Sequence, residues 1–87
     1  MAGNPRQIFR GITRAIFARL RQRASKVGIQ VASPQGEAVK DGVVIRWAYD
    51  ARAELLEVEC KAPFWINADR MNADLRHEIE ATIRAAA

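Results

Sequence analysis

The chain has 87 residues, a formal charge of +4 and an ordinary apolar fraction of 49%. That length holds one hydrophobic core, and the composition excludes wholesale disorder. A single cysteine excludes an internal disulfide, and no apolar run is long enough to cross a bilayer. With no secretory pattern ahead of the first predicted helix, the expected compartment is the cytoplasm. Eleven arginines against three lysines, with sixteen alanines, point to GC-rich bacterial coding.

The charge is unevenly placed. Residues 1–26 hold Arg6, Arg10, Arg14, Arg19, Arg21, Arg23 and Lys26 and no acid, whereas every Asp and Glu lies at or beyond Glu37. An N-terminal cation followed by a mild anion is the pattern of a chain that meets an acidic partner, whether protein, lipid or nucleic acid.

In chain order, residues 1–5 read as a flexible lead, with Asn4 as an N-cap and Pro5 in a first helical turn. Ile8, Ile12, Ile16 and Leu20 recur every fourth position and predict one amphipathic helix to about Lys26. On that helix Arg10, Arg14 and Arg21 share the side opposite the apolar stripe, and Phe17 sits on the border. Val27, Ile29 and Val31 alternate with Gly28, Gln30 and Ala32, which predicts a first strand. Ser33-Pro34-Gln35-Gly36 fits a type I turn and Asp41-Gly42 a second turn, with a short strand at 38–40 between them.

Residues 43–61 predict an antiparallel hairpin. Val43, Ile45, Trp47 and Tyr49 share one face of its first strand, and Leu56, Val58 and Cys60 one face of its second. Pairing Trp47 with Leu56, Ile45 with Val58 and Val43 with Cys60 gathers the large apolar groups, and sets Arg46 opposite Glu57. Pro63 ends the strand, Phe64, Trp65 and Ile66 cross over the core, and Asn67 caps a last helix. Its stripe is Met71, Leu75, Ile79 and Ile83.

The expected fold is therefore α+β, one domain over 1–87: a two-layer sandwich of helix, three-stranded antiparallel sheet and helix (αβββα). Double-stranded RNA-binding domains share that element order, but carry lysines at the start of the second helix. Here that position reads Asn67-Ala68-Asp69, so the chain is not assigned to that family.

No catalytic constellation is expected. Cys60 falls on the inward face, His77 on the solvated side of the last helix, and one Cys with one His makes no zinc site. Glycine-rich phosphate loops and hydrolase motifs are absent from the sequence. The expectation is a small non-enzymatic binding or adaptor domain, self-associating, without cofactor, metal or small-molecule substrate. Its candidate interaction residues are Arg10, Arg14, Phe17, Arg21 and Trp65, the last an aromatic that can anchor a partner. Nucleic-acid binding through the basic helix is the alternative.

Overall fold

The computed structural model describes residues 6–63 and 65–86, and its first element is a strand where the periodicity predicts a helix. β1 spans Arg6–Arg10, with Gln7 and Phe9 buried and Arg6, Ile8 and Arg10 exposed. The every-fourth isoleucines thus straddle a strand, a bend and a helix. Gly11 makes the bend at φ +75, a left-handed conformation that glycine adopts without a Cβ penalty. Ile12 follows, wholly buried, its N–H donating to the Glu54 carbonyl at 2.9 Å. Thr13 is the N-cap of α1 (Arg14–Lys26), its hydroxyl accepting from the Ile16 N–H at 3.2 Å. The lead at 1–5, with Asn4 and Pro5, lies outside the described residues.

α1 stops in a Schellman motif. Gly28, at φ +85, donates to the Ser25 carbonyl at 3.1 Å, and Ile29 donates to Ala24 at 2.9 Å. This cap occupies the place of the expected first strand. Val27, Ile29 and Val31 alternate in sequence but belong to no strand, and Val31 packs against the core from a connecting segment.

β2 (Gln35–Lys40) begins inside the stretch that reads as a turn, and Asp41-Gly42 then joins it to β3 (Val43–Asp50). Both turn residues have positive φ, 52° and 81°, as a type I′ hairpin turn requires. β4 (Leu55–Lys61) completes the expected hairpin with a corrected register. Trp47 pairs with Val58, Ile45 with Cys60 and Arg46 with Glu59, two residues away from the expected partners. The displacement comes from the connection. Ala51–Glu54 is a four-residue loop, held where the Asp50 carboxylate accepts from the Arg52 and Ala53 N–H groups at 3.0 and 3.2 Å. A slip of two preserves the faces, so the inward set is unchanged.

The sheet has four strands, all antiparallel, in the order β1-β4-β3-β2. The α+β class stands. The three-stranded αβββα arrangement does not, because β1 adds a strand beside β4 and the chain runs βαβββα. α2 (Ala68–Ala86) starts as expected, with the Asn67 side chain accepting from the Arg70 N–H at 3.0 Å and Asp69 in its first turn. Phe9, Trp47, Leu56, Val58 and Cys60 from the sheet meet Ile16 and Phe17 of α1 and Ile79 of α2 in one core. Phe64, expected in the crossing segment, lies outside the described residues.

A polar seam ties β1 to α2. The buried Gln7 side chain donates to the Asn72 carbonyl at 3.0 Å and accepts from Arg76 Nε at 2.9 Å. The Arg76 guanidinium also lies 5.2 Å from the Phe9 ring centre, a cation–π arrangement.

Candidate binding surface

α1 holds five basic residues and no acid, and starting it at Arg14 leaves Arg10 outside their group. Arg14 and Arg21 stand seven apart, two turns along one flank. Arg19 and Lys26 repeat that spacing on the other. None of these four forms an ion pair among the described residues, whereas Arg23 is fully engaged. Its guanidinium meets Glu78 at 3.0 Å and donates to Thr82 Oγ1 at 2.9 Å, which fastens α1 to α2. Arg21 donates to the Val31 carbonyl at 2.8 Å, a bond that fixes the side chain and leaves its charge uncompensated.

Beside these cations α1 overhangs an open cleft of about 1040 Å³. Leu20, Val31, Ile45, Trp47, Val58 and Leu75 are among the apolar residues lining it, and Arg19, Arg21 and Lys26 stand at its α1 side. The α2 side brings Asp74 and Glu78, and of these Glu78 is neutralised by Arg23. Gly28 turns the chain sharply after α1, and Val27, Ile29 and Val31 of the connection to β2 line the cleft. Lys40 holds that arrangement from the sheet side by donating to the Val27 carbonyl.

The five sequence-expected site residues do not converge. Arg10 ends β1 on the outer sheet face, so Arg10, Arg14 and Arg21 share no helix side. Phe17 is buried, its ring stacked on Tyr49 at 4.2 Å between centres, and it forms one wall of the cleft. Arg21 also lines the cleft, while Arg14 stands nearer the Tyr49 hydroxyl. Trp65 is 67% exposed beside Gly42 and Pro63, outside the cleft. Arg19, Lys26 and Leu20 are lining residues that the sequence alone does not single out as a site. Their signal is the seven-residue cation spacing, which is present in the sequence wherever the helix starts.

The opposite face of the sheet is bare of helices and balanced in charge. Strand pairing places Arg6, Arg10, Arg46 and Lys61 there together with Glu37, Asp50, Glu57 and Glu59. The protein's net positive charge therefore resides elsewhere, and α1 carries the largest acid-free share.

Cys60 is 2% exposed on the inward face, and burial pushes its thiol up to about 11. Burial also raises the Tyr49 hydroxyl, which donates to the Ile12 carbonyl at 2.7 Å. His77 is exposed on α2, and no cluster of three potential metal ligands occurs among the described residues. No helix among those residues is long and apolar enough to cross a membrane. No protein-family model, curated protein or solved structure matches the chain.

Proposed function

We propose that this is a non-enzymatic binding domain that self-associates and takes a protein partner along α1. The partner segment is an acidic amphipathic helix. The observation that carries the reading is the unpaired cation flank, Arg19 and Lys26, running beside an apolar cleft. Helix-in-groove recognition needs that combination, with apolar anchors entering the cleft and carboxylates meeting the rim. Asp74 on the far rim fixes the orientation, because it repels an occupant whose acids point towards α2.

The test is a titration of a fluorescein-labelled acidic amphipathic peptide, with an arbitrary-sequence RNA or DNA duplex in parallel. Peptide binding in the micromolar range is expected, with at least a tenfold loss in Arg19→Gln/Lys26→Gln and an unchanged melting temperature. Duplex binding weaker than millimolar at physiological salt is expected beside it. Micromolar duplex binding, with a log–log salt slope flattened by roughly 0.9 per lost phosphate contact, would transfer the function to nucleic acid.

A further inference from the structure

The outer sheet face carries one row of charge that crosses all four strands. Strand register sets Arg6 beside Glu59, Glu59 beside Arg46 and Arg46 beside Glu37. The signs alternate from edge to edge as plus, minus, plus, minus. Arg46 contacts Glu37 at 2.5 Å, and Arg6 reaches Glu59 at 3.9 Å. Within one chain such exposed pairs contribute little to stability, because water screens them. Their order has a symmetry that isolated pairs lack.

We propose that the outer face is a self-complementary surface, and that a second copy of this chain docks on it about a two-fold axis parallel to the strands, between β3 and β4. That axis reverses the row. Arg6 then faces Glu37 of the second copy, and Glu59 faces Arg46 of the second copy, so each of the four charges meets its opposite. A two-fold along the row would instead set like on like at every position. The neighbouring rows do not conflict with the chosen axis, because it opposes Glu57 to Ala48, Leu55 to Asp50 and Val44 to Lys61.

Further features of the face agree with a second copy as the occupant. The face is electroneutral in a cationic protein, so it neither repels its own kind nor attracts a charged stranger. A two-fold parallel to the strands keeps the strand directions aligned, the usual geometry of two sheets packed face to face. Val39 and Ile8 add exposed apolar area near opposite edges of this face, and the axis sets Ile8 against Gln35 of the second copy. Four strands of five to eight residues cover roughly 15–20 by 20–25 Å, the footprint of a weak, transient dimer rather than an obligate one. The inference rests on the self-association in the functional reading and supplies its surface. It leaves α1 and the cleft free.

A charge-swap experiment tests it. Sedimentation should show wild-type dimer at micromolar concentration, weakening as salt rises. Glu59→Arg alone and Arg46→Glu alone should each be monomeric, since each sets like charges across the axis. Mixed in equal amounts they should form a heterodimer. One copy then presents guanidiniums at both positions 46 and 59, the other carboxylates at both, and opposite charges meet twice across the axis. Should either variant fail to fold, Arg46→Gln should still weaken wild-type dimerisation at least tenfold. A wild-type monomer up to millimolar concentration would overturn the proposal. So would dimers indifferent to both substitutions, as edge-to-edge strand pairing predicts, or a mixture that stays monomeric. Peptide titration on the monomeric variants separates this result from the fate of the cleft.

Discussion

At the scale of single residues, the least conspicuous side chains decide most. Gly36 pairs with Trp47 across β2 and β3, and a Cβ there would stand 2.8 Å from the indole. The indole occupies that space and donates to the Ser33 carbonyl at 2.9 Å. Gly36→Ala should therefore cost about 1–3 kcal/mol, read as a lower urea midpoint at unchanged slope. Cys60 gives a chemical readout of the same packing. Iodoacetamide at pH 8 should modify it only at the rate of opening, and complete labelling of folded protein within minutes would place the thiol at the surface. The thiol's folded value, about 11, lies above its ordinary 9.0. Its contribution to stability is therefore whole below pH 9 and declines as pH rises towards 11. Tyr49, also raised by burial, adds to the decline from its ordinary 10.0 upward. The urea midpoint should fall across that window, with a shallower fall in Cys60→Ala.

At the scale of elements, the hairpin faces define what each strand tolerates. Val58→Asp should unfold the domain, because it buries a carboxylate with no partner between Phe9, Trp47 and Ile79. A cooperative melt near wild type would show the inward face to be misassigned. Glu57→Gln on the other face loses only a 3.9 Å contact to Arg6 and should shift stability by less than about 1 kcal/mol. These faces are readable from sequence because period-two alternation survives a register slip of two. The register is not, since it depends on how Asp50 folds the loop onto itself. α2 is readable through its Asn67 cap and its Met71-to-Ile83 stripe. The front of the chain is not. Ile8, Ile12, Ile16 and Leu20 keep helical spacing through a left-handed glycine, and periodicity alone carries no sign of the break. Thr13 supplies the better cap, but only the pairing of β1 with β4 makes it the start of the helix. The cleft is invisible for a related reason: Val27, Ile29 and Val31 look like a strand, and it is the Schellman cap at Gly28 that turns them out of the sheet.

At the scale of the whole molecule, charge is sorted by face, with an acid-free α1 on one side of the sheet and a balanced ladder on the other. Connectivity adds a second asymmetry. β2, β3 and β4 are joined by short turns, whereas β1 must find β4 across the whole intervening chain, Arg10 meeting Leu55. Closing a loop of that length costs more entropy than closing either hairpin turn. The meander can therefore form first, with β1 arriving last during folding and leaving first during opening. Gln7 gives that order a structural consequence, because β1 departs with the bonds that hold Asn72 and Arg76. β1 and α2 should behave as one cooperative unit in native-state hydrogen exchange, sharing an opening free energy lower than that of β3. Gln7→Ala should lower both together by about 1–3 kcal/mol while leaving the relative protection of β3 highest. The first and last elements of the chain, far apart in sequence, would then open as a single foldon.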